Sequence, residues 1–114
     1  MPDFQWGVFE ANLDPVTGAE QKGKRPVLIV SNEEFNQAMP NVTVLPLTST
    51  RRRLYPSEVI LPEGKAGQSL ESIIMVHQIR TISKQRLGKL LGFLTDNQLQ
   101  SEIHRAVKEH LDME

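Results

Sequence analysis

Fixed positive charge is the most concentrated chemistry in this sequence. Lys22, Lys24 and Arg25 form one basic cluster and Arg51, Arg52 and Arg53 form another, on a chain whose formal net charge is -1. Glu33, Glu34, Glu63, Glu71 and the acidic residues of 109–114 offset them. A locally basic surface on a near-neutral protein suits a short single strand or an acidic protein segment better than a coated duplex. The plainer reading is two solvated loops. Histidine chemistry is sparse. His77, His104 and His110 make no ligand cluster, and the last two fall on different faces of a predicted helix. There are no cysteines, which removes disulfides, thiolate zinc sites and cysteine nucleophiles together. No GxGxxG, Walker A, HExxH or EF-hand pattern occurs, so the expectation is no metal and no cofactor. No Ser/His/Asp arrangement can be read from spacing.

The elements that must carry these residues are short. The length of 114 residues predicts a single domain over 1–114, large enough for one modest core. Apolar content of 39% and charged content of 24% are ordinary for a globular chain. No segment is apolar for long enough to span a bilayer, and the N-terminus lacks the basic and apolar regions of a secretory signal. The expectation is a soluble cytoplasmic protein with no membrane partner.

Residues 4–13 read as a strand entering a long loop at Asp14-Pro15. Residues 26–30 read as a buried strand with Pro26 at its start. Ser31 and Glu34 match a capping box, with Ser31 as N-cap of a short helix that Met39-Pro40 stops. Residues 42–50 form the next strand, in which Pro46 implies an edge or a bulge. A short strand over 57–61 precedes a glycine-containing loop at 62–67. Residues 69–82 are the longest β-rich segment. Alternation there sets Ile73, Met75, His77 and Ile79 on one face, and Ile74, Val76, Gln78, Arg80 and Ile82 on the other. Residues 84–86 read as a helical turn and 87–94 as a last strand. Thr95 and Gln98 stand in capping-box register before a helix whose Leu99, Ile103, Ala106, Val107 and Leu111 recur at helical spacing. The fold class expected is α+β, mainly β: a small, strongly bent antiparallel barrel or sheet with a C-terminal helix.

Motif order adds what spacing does not. Residues 13–21 (LDPVTGAEQ) and 23–30 (GKRPVLIV) resemble the DPxxGxEQxGxRPxLV signature of MazF/PemK toxins. Pro46-Leu47-Thr48-Ser49, Tyr55-Pro56-Ser57-Glu58-Val59, and Gln78-Ile79-Arg80-Thr81-Ile82 with Lys84-Gln85-Arg86-Leu87 follow in the family's order. The resemblance implies an SH3-like barrel, a homodimer, and a metal-independent, sequence-selective endoribonuclease acting on single-stranded mRNA. A small cognate antitoxin with an acidic, partly disordered tail is implied as the second partner. The implied chemistry is attack of a ribose 2′-OH on the adjacent phosphate, giving a 2′,3′-cyclic phosphate and a 5′-OH.

By the same resemblance Arg25 is the catalytic arginine, its permanently charged fork suited to a phosphate that gains charge. Thr48 is the hydroxyl residue after Pro-Leu, and Ser49 is a supporting donor. Glu20 and Gln21 either shape their loop or contact RNA. Lys24, Arg51, Arg52 and Arg53 fit the part of a groove that tracks the RNA backbone. His77 stands where several relatives carry an acidic residue. It either takes acid–base duty near neutral pH or is satisfied among Ile73, Met75 and Ile79. Arg80 reads as structural. Ala19 and Ser83 also depart from residues common in the family, where histidine and aspartate are frequent. Two other readings of the same barrel stay open: a gyrase-binding poison resembling CcdB, and an RNA-binding module without catalysis.

Overall fold

The computed structural model describes residues 2–14, 18 and 23–114. Chain order is β1 (Gly7–Asn12), β2 (Lys24–Ile29), α1 (Glu33–Ala38), β3 (Asn41–Thr48), β4 (Glu58–Leu61), β5 (Ser72–Met75), β6 (Arg80–Ser83), β7 (Leu87–Phe93) and α2 (Asn97–His110), with short 3-10 turns at Lys65–Gly67, Val76–Gln78 and Lys84–Arg86. All strand pairs are antiparallel, in the order β4-β5-β3-β2-β1-β7, with β6 also paired to β3.

The hub is β3. It pairs with β2 along one side, and with β6 and then β5 along the other. Pro46 is therefore not on an edge strand. It falls between Val44, which pairs with Arg80 of β6, and Leu47, which pairs with Ile74 of β5. A proline is accommodated where the ladder is interrupted as one partner gives way to the next. The single long strand expected over 69–82 is likewise broken. The turn at Val76–Gln78, closed by Ile79 N–H donating to Val76 O at 3.1 Å, separates β5 from β6. Met75 and His77 consequently do not continue one alternating face.

Apolar side chains cover both faces of β2 and β3. Leu28, Leu45 and Leu47 pack with Leu61, Ile74, Val76 and, from α2, Leu99 and Ile103. Val27, Ile29, Val42 and Val44 pack on the opposite face with Phe9, Leu13 and Ile82. Burial on two faces explains why β2 reads as a continuous apolar run, not as an alternating one. Leu111 departs from the predicted apolar stripe. The helix ends at His110, and Leu111, as its C-cap, is 49% exposed.

Among the described residues the strand ladder does not close into a barrel, since β4 and β7 remain its two ends. The turn at Lys65–Gly67 packs across to β7 instead, backbone against backbone. A Cβ added at Gly67 would lie 2.0 Å from Leu91 O, and one at Gly92 would lie 2.6 Å from the carbonyl carbon of Ala66. No side chain fits in this seam.

Both helix N-caps sit one residue later than the capping-box pattern predicts. Asn32 accepts from Phe35 N–H at 2.8 Å, and Asp96 accepts from Gln98 and Leu99 N–H at 2.9 and 3.1 Å. Asn and Asp cap as well as Ser and Thr, so the pattern alone does not choose between neighbours. Ser31 turns inward, donating to Asn36 Oδ1 and accepting from Thr43 N–H at 3.0 Å, which ties α1 to β3. Glu33 receives the N–H groups of Asp3, Phe4 and Gln5 on its carboxylate.

Candidate active site

Antiparallel pairing places the beginning of β2 beside the end of β3. The register Val27↔Pro46, Leu28↔Leu45, Ile29↔Val44, continued past Pro46, sets Arg25 opposite Thr48. Thr48 also pairs with Ile73 of β5. Two residues 23 positions apart in sequence are thus brought together by strand geometry, with no dependence on loop conformation.

They line a cleft of about 290 Å³ together with Lys24, Pro26, Ser49, Gln68, Ser69 and Ser72. Thr48 is only 8% exposed. Its hydroxyl accepts from Thr50 N–H at 3.2 Å and donates to Thr50 Oγ1 at 3.1 Å, which fixes the turn at the strand end. Arg25 is half-buried, whereas Lys24 and Ser49 are exposed at the rim. Gln68, Ser69 and Ser72 were not singled out from the sequence. The only signal for them is a polar stretch between two apolar strands, which any surface loop shares. Ser72 Oγ donates to Leu70 O at 3.1 Å, and this contact holds the far wall.

The cleft opens into a wider groove of about 520 Å³ that shares Ser49, Leu70 and Ser72 with it and adds Thr50, Arg51 and Arg52. The three arginines have different fates. Arg51 and Arg53 are exposed. Arg52 is committed, its two Nη atoms donating at 2.8 Å each to the two oxygens of Glu58. His77 Nε2 meets Glu58 Oε2 at 2.9 Å, and Tyr55 N–H donates to Oε1 at 2.7 Å. His77 therefore stands in an ion-pair network behind the loop and is not among the residues lining the cleft. The turn at Val76–Gln78 takes His77 off the strand face predicted for it with Ile73, Met75 and Ile79.

The Glu58 side chain has no exposed surface. Burial alone would raise its pKa. The Arg52 fork, the Tyr55 N–H and His77 outweigh that and hold the carboxyl at about 2, below the ordinary 4.5. Burial opposes and is again outweighed at Glu33, where Gln37 and the Gln5 and Asp3 N–H groups bring the value to about 2. A depressed carboxylate contributes stability that is complete above its unfolded value and is lost as pH falls through its folded value. Thermal midpoints are therefore expected to fall steeply between pH 4.5 and about 2, and Glu58→Gln should flatten that decline.

Glu20 and Gln21 lie outside the described residues. Among their described sequence neighbours, Leu13 N–H donates to Gly23 O at 3.0 Å and Gly23 N–H donates to Asp14 Oδ1 at 3.0 Å. Arg86 donates to the carbonyls of Asn12 and Asp14. Arg86→Ala is expected to raise the KM of any reaction that uses Glu20 or Gln21 while leaving the melting temperature within a few degrees. Steady-state kinetics on the variant would test it. Among the described residues no group of three or more His, Cys, Asp or Glu is placed to hold a metal ion. Among the described residues no helix is long and apolar enough to cross a membrane.

An arginine and a strand-end hydroxyl lining one cleft, with a lysine and a serine at the rim, form an arrangement that can hold an oxyanion on the end of a small antiparallel sheet. Residues 4–111 match the family model described as PemK-like, MazF-like toxin of type II toxin-antitoxin system, and the chain belongs to that family. It is 36% identical over 101 residues to the endoribonuclease MazF of Staphylococcus saprophyticus, covering 88% of this chain and 83% of that protein. It is 31% identical over 111 residues to the endoribonuclease MazF9 of Mycobacterium tuberculosis, covering 93% of each. Among solved structures it superposes on a mycobacterial endoribonuclease in complex with its cognate antitoxin with a TM-score of 0.79 and 27% identity, over 97% of this chain and 96% of that one. A TM-score of 0.84 over 99% of both chains relates its fold to MazF from Deinococcus radiodurans, at 24% identity.

Proposed function

We propose that this chain is an endoribonuclease toxin that cuts single-stranded RNA at short preferred sequences without a metal ion, and that a cognate antitoxin holds it in check. The observation that carries the reading is the cleft that Arg25, from the start of β2, and Thr48, from the end of β3, line together. Relatives that cover most of the chain are endoribonucleases.

The chemistry follows from the groups present. The substrate phosphate sits between the Arg25 guanidinium and the Thr48 hydroxyl. The adjacent ribose 2′-OH attacks phosphorus, the new P–O bond forms, and the bond to the 5′ oxygen of the next nucleotide breaks. The 2′-OH gives up its proton and the departing oxygen gains one, leaving a 2′,3′-cyclic phosphate and a 5′-OH. Two positive charges, Lys24 and Arg25, offset the charge that develops on the non-bridging oxygens. Thr48 donates a hydrogen bond to one of them, giving up its bond to Thr50 Oγ1. A substrate lacking the 2′-OH supplies no nucleophile, so DNA is not cut by this route. His77 works at one remove, by helping Glu58 hold the loop that carries Arg51 to Arg53. Antitoxin capture follows the relative solved with its own, and homodimerisation belongs to the same proposal.

The test is incubation of purified protein with mixed-sequence single-stranded RNA in EDTA beside the matched DNA. Discrete RNA fragments with 5′-OH ends and intact DNA are expected. RNA left whole while still bound would overturn the catalytic reading. Thr48→Val should lower kcat at least tenfold, and Thr48→Ser should recover most of it, because the hydroxyl and not the methyl carries the role.

A further inference from the structure

Tyr55 is an aromatic residue that is 55% exposed, yet it is not loose. The Arg52 guanidinium lies 4.1 Å from its ring centre. That guanidinium is fixed in turn by its two-bond contact with the fully buried Glu58, which also takes the Tyr55 N–H and touches His77. One carboxylate thus orients both the ring's backbone and the cation stacked on the ring. A solvated loop does not need a buried acid, a histidine and an arginine to hold one tyrosine outward.

We propose that Tyr55, backed by Arg52, is a stacking platform for one unpaired nucleobase of the RNA substrate, with Glu58 and His77 as its positioning residues. The proposal deepens the endoribonuclease reading and rests on it. Three observations favour a nucleobase over a protein side chain. Arg52, the support of the ring, lines with Arg51, Glu63 and Glu71 the groove that shares Ser49 and Ser72 with the cleft at Thr48, so the support borders the space next to the site of attack. Arg51 and Arg53 are exposed on either side of Arg52, placed for the phosphates that flank a splayed base. Glu58 neutralises Arg52, which leaves that guanidinium a flat apolar-faced support for the ring and removes it from competition for phosphate. Every base offers a π-face, so the platform contributes affinity and fixes the strand's register. Sequence preference arises nearer the cleft.

The experiment uses the full chain and a short single-stranded RNA that the wild type cuts, with a 2′-deoxy sugar at the mapped cleavage position to block reaction. 2-Aminopurine is placed at each other position in turn. Stacking on Tyr55 quenches its fluorescence at one position. Tyr55→Ala is expected to abolish that quench and weaken RNA binding about five- to a hundredfold, and Tyr55→Phe and Tyr55→Trp to keep both. Glu58→Gln should lose the quench while circular dichroism at neutral pH still shows a folded chain. Quenching that survives Tyr55→Ala overturns the platform and leaves the nuclease reading intact. A wild type that neither cuts nor binds RNA overturns both. Unchanged RNA binding in Tyr55→Ala with weakened capture of an acidic peptide would overturn the nucleobase assignment in favour of a protein-docking role.

Discussion

Arg25→Ala is expected to lower kcat/KM on single-stranded RNA by about a hundred- to a thousandfold, with most of the loss in kcat. In the proposed mechanism the guanidinium offsets the charge that grows on the phosphate. Arg25→Lys should fall between the two, since an ammonium retains the charge but not the paired donors. The measurement is single-turnover cleavage of an RNA of mapped sequence, with circular dichroism to establish that each variant is folded. Wild-type rates in a folded Arg25→Ala variant would remove the arginine from the chemistry. Because β2 pairs on both sides, with β1 and β3, truncating a half-buried side chain at its start should cost little stability.

Gly67→Ala is expected to be the most damaging small change to stability, on the order of 3 kcal/mol or more. Its new Cβ would meet Leu91 O at 2.0 Å, and the φ of +75° already disfavours any side chain. Gly64→Ala separates the two effects. It shares the unfavourable φ, at +87°, but nothing lies within 4 Å of its Cβ. It should cost only the conformational part, about 1 kcal/mol. Urea denaturation of both variants would read the difference. Equal losses would mean that the close approach to β7 contributes nothing.

Much of this architecture was legible before any coordinates. Strand and helix identities followed from β-branched runs, turn residues and the helical spacing of Leu99 and Ile103. That Arg25 and Thr48 share one cleft was implied only through motif resemblance, because register is a property of two strands and neither carries it alone. Local patterns failed where a competing physical choice was nearly equal. Ser31 and Asn32 both cap well, as do Thr95 and Asp96, and the chain uses the second of each pair. Alternation through 73–79 looked continuous because apolar residues fill both sides of β5 and the polar pair His77 and Gln78 fits an alternating strand as readily as a turn. His77 was drawn toward catalysis by its type. Its partner Glu58 lies across a strand pairing, Glu58↔Met75, that no local pattern records. The role of Arg52 was hidden for the same reason, since a triple-arginine run carries no mark of which member is spent on an internal acid.

The sheet joins its first strand to its last, with Gly7 opposite Phe93. Every strand that builds the cleft at Arg25 and Thr48 comes earlier in the chain than β7. During synthesis at about 5–20 residues per second, β1 therefore waits several seconds for its second neighbour. In that interval one edge of β1 is open, and the seam at Gly92 does not yet exist. The nascent chain thus carries the side chains of the candidate site before it carries the strand that completes the sheet beside β1.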